Sequence, residues 1–220
     1  MRRSASRLAA AAPVIPSCLA VSSTAVVALS SATTSLAGIH VVVAGVGKVG
    51  TSLVRHLVEE RARVTVSDVD AAAVERVRRD FGVDVAEADK AHTVPCDLYS
   101  PCAMGGILDP TTIPELRCWA VVGSANNQLA DASNVEMLAR TSALYAPDFI
   151  VNAGGLINVA EELAGYHRER AYARVRRIYD TTLSLIEGAR AEGISTTAYA
   201  ERMAEQRIDD IGRLVHITTF

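Results

Sequence analysis

Three glycines and one acid set the chemistry that this sequence can attempt. Gly45, Gly47 and Gly50 stand in Gly45-Val46-Gly47-Lys48-Val49-Gly50, between the apolar run Ile39-His40-Val41-Val42-Val43-Ala44 and Thr51. A β-branched run of that kind reads as a buried parallel strand. From Thr51 to Arg61 the apolar residues Leu53, Val54, Leu57 and Val58 recur at helical spacing. In a strand-loop-helix order each glycine has a separate task. Gly45 permits the tight turn, Gly47 lets a pyrophosphate approach the backbone, and Gly50 lets helix and strand pack closely. The helix N-terminus offers free N–H groups and a positive dipole end to the phosphates. A second strand, Arg63-Val64-Thr65-Val66-Ser67, runs into Asp68. A carboxylate there accepts hydrogen bonds from both ribose hydroxyls of an adenosine and repels a 2′-phosphate. The next residues, Val69 and Asp70, include no Arg or Lys to welcome that phosphate. The pattern predicts NAD in preference to NADP, held by Gly45, Val46, Gly47, Lys48, Val49, Gly50, Thr51, Asp68 and Val69. The alternative is a glycine turn of purely structural use, with Asp68 as a solvated cap.

The elements that must position these residues alternate. Ala71 to Phe81 reads as a second helix and Val83-Asp84-Val85 as a short strand. Cys96-Asp97-Leu98-Tyr99, Trp119-Ala120-Val121-Val122-Gly123 and Phe149-Ile150-Val151 read as further strands, with a helix over Val135 to Arg140 between the last two. Helical periodicity then runs from Ala160 to about Arg190 and again from Thr197 to Ile211. Alternating strands and helices predict an α/β fold: a Rossmann-type doubly wound parallel sheet with a C-terminal helical extension. The expected division is a remnant or poorly ordered segment over 1–35 and a dinucleotide-binding domain over 36–220, the C-terminal helices included.

Composition removes several classes. A net charge of -3 and 5% aromatic residues give no basic face and few stacking platforms, so no nucleic-acid partner is expected. Hydrophobic residues make up 50%, enough for a packed core, yet no run approaches a membrane span. Cys18, Cys96, Cys102 and Cys118 form no Cys-x-x-Cys pair, so no metal site is expected. Free, mostly buried thiols in a reducing compartment are the expectation, which points to the cytoplasm. Arg2, Arg3 and Arg7 precede an Ala-rich stretch and raise a signal or transit peptide as an alternative for the N-terminus, but Pro13 and Pro16 interrupt it.

From Leu36 to about Ile208 the chain resembles the glutamate/leucine/phenylalanine/valine dehydrogenase family, and most closely its branched-chain members. The resemblance is carried by Ser35-Leu36-Ala37-Gly38, by Cys96-Asp97-Leu98-Tyr99-Ser100-Pro101-Cys102-Ala103-Met104-Gly105-Gly106 and by Gly123-Ser124-Ala125-Asn126-Asn127-Gln128-Leu129. Tyr145-Ala146-Pro147-Asp148-Phe149-Ile150-Val151-Asn152-Ala153-Gly154-Gly155-Leu156-Ile157 is the most distinctive block, followed by Ile178-Tyr179-Asp180-Thr181-Thr182 and Ala204-Glu205-Gln206-Arg207. The resemblance implies NAD-dependent oxidative deamination of a branched-chain L-amino acid to the 2-oxo acid and ammonia. It adds Ala103, Met104, Ser124, Ala125, Asn126 and Asn152 to the cofactor residues, and it places Asn126, Leu156 and Val159 at the substrate. For each group a plainer role stays open: loop packing for Ala103 and Met104, turn formation for the two asparagines, helix core for Leu156 and Val159.

The same resemblance raises a difficulty. The family's base is a lysine in a Gly-rich segment of a domain preceding the glycine loop, assisted by an aspartate. This chain's lysines are Lys48, inside the glycine loop, and Lys90, in the polar stretch Glu87-Ala88-Asp89-Lys90-Ala91-His92. Arginine does not substitute, because guanidinium stays charged. No catalytic residue is therefore expected within this chain, which would be inactive alone. Its partners would be an amino acid or 2-oxo acid, a separately encoded catalytic half, or copies of itself. A non-catalytic NAD-binding module, or a truncated and inactive remnant, is the alternative. Ser23-Thr24-Ala25-Val26 resembles a family segment that approaches the cofactor, which makes Thr24 a candidate, although Val26 replaces the expected glycine.

Overall fold

The computed structural model describes residues 35–217. Its centre is a six-stranded sheet in the order β3-β2-β1-β4-β5-β6, with every neighbouring pair parallel. The strands are β1 (His40–Ala44), β2 (Arg63–Ser67), β3 (Asp84–Val85), β4 (Leu98–Pro101), β5 (Ala120–Val121) and β6 (Leu144–Tyr145). The helices are α1 (Lys48–Glu59), α2 (Ala71–Phe81), α3 (Asn134–Ala139), α4 (Asp148–Val151), α5 (Gly154–Leu163), α6 (Arg168–Glu192) and α7 (Thr196–Ile217). Because β2 lies on one side of β1 and β4 on the other, the winding reverses at β1. A crevice opens at the C-terminal ends of the strands at such a reversal.

The sheet is covered on both faces, as the continuous apolar strands require. Side chains alternate along β1. Val41 and Val43 join Leu53 and Leu57 of α1, Val77 of α2 and Ile178 and Ile186 of α6 in one core. Val42 joins Tyr99, Val121, Leu138 and Tyr145 in the other. Each fully buried valine or leucine contributes about 1.5–3 kcal/mol. The core thus fixes the strand ends from which the site residues emerge.

Two expectations fail. Phe149-Ile150-Val151 is not a strand but part of the short helix α4. The ladder ends earlier: Leu144 N–H donates to Trp119 O at 2.8 Å and Ala146 N–H to Val121 O at 3.0 Å. Pro147 follows, and it has no N–H to continue the ladder. The helix expected over Ala160–Arg190 is two helices. The chain turns at Gly165, whose φ of 75° is a left-handed conformation that glycine adopts without cost. Elsewhere the strands are shorter than expected, with β5 reduced to Ala120–Val121 and β3 to Asp84–Val85.

Of the four cysteines, Cys18 lies outside the described residues; Cys96, Cys102 and Cys118 are free and half-buried. Cys96 N–H donates to Arg117 O at 3.0 Å, which sets Cys96 beside Cys118 just before β4 and β5. Burial, and then the neighbouring Cys118, pushes the Cys96 thiol up to about 12 from an ordinary 9.0. Burial pushes Cys118 up to about 11. The Tyr99 and Tyr145 phenols are raised by the same cause. Raised acids favour the protonated fold, so their stabilisation is complete below the unfolded thiol value and is lost as pH climbs toward 11. Between about pH 8.5 and pH 11, chemical denaturation should show stability falling, because the unfolded thiols ionise before the folded ones. Iodoacetamide should label Cys96 and Cys118 far more slowly than a model thiol at pH 8, and rapid labelling would contradict the assigned burial.

Candidate functional site

The glycine loop is built by short-range steric demands. A Cβ on Gly45 would lie 2.5 Å from Ala103 N, and Gly45 itself has φ 110°. A Cβ on Gly50 would lie 1.8 Å from Gly45 O. These two glycines are required by the protein's own packing. Gly47 differs: its φ is -64°, and a Cβ there would meet no atom of the described residues within 4 Å. The loop is pinned by Gly45 N–H to Ser67 O at 2.7 Å and by Thr51 Oγ1 to Val46 O at 2.7 Å. Helix α1 starts at Lys48 with Gly47 as N-cap and no side chain capping it. Its first-turn amides therefore remain available, and Lys48 adds a positive charge where the helix dipole is already positive.

Asp68 follows β2 and turns its carboxylate back to the loop. Oδ2 accepts Val46 N–H at 2.7 Å and Oδ1 accepts Asp70 N–H at 3.0 Å. Each oxygen keeps a second acceptor position. The helix cap is the other acid: Asp70 accepts Ala72 N–H at 2.9 Å and Ala73 N–H at 3.2 Å. The reading of Asp68 as a solvated cap is thereby excluded.

A cavity of about 600 Å³ opens beside the loop, lined by Val46, Gly47, Lys48, Thr51, Ser52, Asp68, Asp70, Ala73 and Arg76. Five of these were expected from sequence. Ser52, Asp70, Ala73 and Arg76 were not. Positions 70, 73 and 76 recur every third residue along α2 and its cap, so projecting that helix face would have found Arg76. Gly45, Val49 and Gly50 shape the loop without lining the cavity, and Val69 projects outward at 92% exposure.

The other expected residues follow the ends of β4, β5 and β6. Ala103 and Met104 are exposed just past β4. Past β5, Ser124 is half-buried, Ala125 buried and Asn126 exposed. Asn152, at the end of α4, donates through Nδ2 to Asn126 Oδ1 at 2.7 Å and more weakly to Ala125 O at 3.4 Å. The two asparagines, expected separately, form one pair. Leu156 and Val159 share a face of α5 at 75% and 51% exposure, which excludes the helix-core role. Thr24 lies outside the described residues. Lys90 is a solvated surface residue, as expected, with its Nζ 3.4 Å from Glu87 Oε2. No group of three or more potential metal ligands occurs among the described residues, and no described helix is long and apolar enough to cross a membrane.

Amino-acid dehydrogenases are among the known proteins that this chain resembles. The model of the Glutamate/Leucine/Phenylalanine/Valine dehydrogenase family matches residues 72–210, and that of the TrkA-N domain matches 41–94. The leucine dehydrogenase of Thermoactinomyces intermedius is 45% identical over 175 residues, 80% of this chain and 48% of that protein. The phenylalanine dehydrogenase of the same organism is 42% identical over 188 residues, 83% of this chain and 51% of that protein. The crystal structure of L-tryptophan dehydrogenase from Nostoc punctiforme superimposes with a TM-score of 0.85 at 42% identity, covering 90% of this chain and 60% of that one. The chain thus spans about half the length of the curated relatives it matches. Sheet order, glycine loop and sequence identity agree: the chain belongs to the Glutamate/Leucine/Phenylalanine/Valine dehydrogenase family.

Proposed function

We propose that this chain is the NAD-binding domain of an enzyme that oxidatively deaminates an apolar, branched-chain L-amino acid to the 2-oxo acid and ammonia. One observation carries the reading. Gly47 leaves open, on an otherwise tightly packed loop, the space that a Cβ would fill, next to uncapped helix amides and Lys48. A pyrophosphate fits such a cradle in size, charge and donor geometry. Asp68 favours NAD over NADP, because its remaining acceptor positions suit two hydroxyls and its charge repels a 2′-phosphate. Ala103, Met104, Ser124, Ala125, Asn126 and Asn152 would face the nicotinamide half from the ends of β4, β5 and α4.

When bound, the dinucleotide accepts the substrate's hydride. This chain's residues hold and orient. Asn152 commits its amide to Asn126 Oδ1, which leaves Asn126 Nδ2 as the outward donor for a carboxylate or carboxamide oxygen. Leu156 and Val159 offer an apolar wall that leaves a polar substrate side chain unpaired. Relatives named for leucine, tryptophan and phenylalanine are 45%, 45% and 42% identical, so an apolar side chain is better supported than a particular one. The base is a different matter. Lys48 sits at the helix start and Lys90 beside Glu87, so neither is placed as a proton acceptor. We assign the base to another segment or subunit.

Calorimetric titration with NAD and NADP, together with an assay on L-valine, L-leucine and L-phenylalanine, tests this. NAD binding at least about tenfold tighter than NADP, without turnover, is expected. Absence of NAD binding would overturn the reading, and preference for NADP would overturn the role given to Asp68. Turnover by these residues alone would make Lys48 and Lys90 the first residues to replace.

A further inference from the structure

Asn126 and Asn152 reach each other from separate loops, and neither loop fixes that meeting by itself. We propose that Gln128 is the positioning residue that sets the three loops of the nicotinamide half against one another. The inference rests on the reading of this domain as an NAD-binding one. Gln128 is fully buried. Its Nε2 donates to Gly123 O at 2.9 Å and to Ala125 O at 3.0 Å, closing the turn that carries Asn126. Its backbone N–H donates to Asp148 Oδ2 at 2.9 Å. Asp148 opens α4, whose far end is Asn152, and its Oδ1 accepts Phe149 N–H at 2.7 Å. Gln128 O accepts Leu108 N–H at 2.9 Å, while Asn127 O accepts Gly106 N–H at 2.8 Å, so the segment after Ala103 and Met104 is laid alongside. The fit there is close: a Cβ on Gly105 would lie 2.7 Å from both Asn126 O and Asn127 O.

The orientation of the Gln128 amide is fixed by its partners. Gly123 and Ala125 present carbonyls, so only Nε2 can face them. Oε1 is then buried without a hydrogen-bond partner among the described residues. An orphaned acceptor destabilises the fold. A methionine of similar size would avoid that cost and fill the same space. What the amide adds is its grip on the two carbonyls, and through them the geometry of Asn126. Gln128 and Asn126 are on the same short turn, so a shift of the turn moves the Asn126–Asn152 pair directly.

The test compares the two halves of the cofactor on the same chain. ADP-ribose reports the adenosine half, and the fluorescence of bound NADH reports the nicotinamide half. In Gln128→Met, ADP-ribose affinity should stay within about twofold, while the enhancement of NADH emission at saturation falls by about half or more. If Gln128→Met fails to fold, Asp148→Asn carries the same test, because it weakens the anchor of the Gln128 backbone without touching the core. An unchanged NADH signal with intact ADP-ribose binding would overturn the inference alone. So would a parent chain that binds ADP-ribose yet leaves NADH emission unaltered. A parent chain that binds neither would overturn the NAD-binding reading itself.

Discussion

Gly47→Ala should fold like the parent chain and lose affinity for NAD by about 100-fold, on the order of 3 kcal/mol, whereas Gly50→Ala should lose the fold. The two residues stand three apart in one loop, and the difference lies in what each Cβ would meet. At Gly50 it would lie 1.8 Å from Gly45 O and 2.9 Å from Gly45 C. Both are backbone atoms of a turn pinned to Ser67 and packed on Ala103, so they cannot step aside. Overpacking of that kind costs about 3 kcal/mol or more, a large part of a domain's stability. At Gly47 the Cβ meets no described residue within 4 Å and φ is already ordinary. The protein itself registers only a poorer N-cap, about 0.5–1 kcal/mol. Any larger effect on binding must then come from a ligand occupying that space. Thermal unfolding and calorimetric titration of both variants check the pair. Equal NAD affinity in Gly47→Ala and the parent would mean that no phosphate passes over Gly47.

How much was legible in the sequence follows from how locally each feature is decided. The glycine loop was legible because steric demand at Gly45 and Gly50 is written in residue type and spacing. The central strands were legible because Val41, Val42 and Val43 are buried on both faces and leave no polar position. Phe149-Ile150-Val151 was misread because an apolar β-branched run suits a buried strand and a buried helical turn equally. What decided it was Pro147 together with the ladder bonds of Leu144 and Ala146, and those bonds join residues far apart in sequence. The break at Gly165 was missed for a related reason: an isolated glycine in a helical pattern is tolerated at a cost and does not by itself mark the end of the helix.

The site divides in the same way. The loop and Asp68 lie within one βαβ unit, and sequence order places them. Arg76 required projecting a helix face onto a cavity whose other wall comes from α1. The Asn126–Asn152 pair and the Gln128–Asp148 bond each span more than one element. The family resemblance put both asparagines among the expected site residues. Only the fold brings Asn152 Nδ2 to Asn126 Oδ1, and that contact leaves Asn126 as an outward donor.

Asp68→Ser should lower the ratio of NAD to NADP affinity by about 100-fold, through losses on one side and gains on the other. Asp68 holds Val46 N–H and Asp70 N–H while keeping acceptor capacity for ribose hydroxyls. Serine keeps one short acceptor and no charge, so the loop loses part of its clamp and the ribose loses a charged acceptor. Hydrogen bonds to a charged group are each worth about 1.5–3 kcal/mol, which sets the loss on the NAD side near tenfold to a hundredfold. The gain on the NADP side has a structural source. Lys48 and Arg76 line the same cavity, and Arg76 forms no ion pair among the described residues. With the Asp68 charge removed, a 2′-phosphate would enter beside two cations and one remaining acid, Asp70, whose Oδ1 is occupied as the α2 cap. Removing Arg76 as well separates the two contributions. In Asp68→Ser with Arg76→Ala the NAD loss should persist while the NADP gain disappears. Titrations of the parent, the single and the double variant with both dinucleotides decide the matter. An unchanged ratio in Asp68→Ser would show that specificity is set elsewhere than at the end of β2.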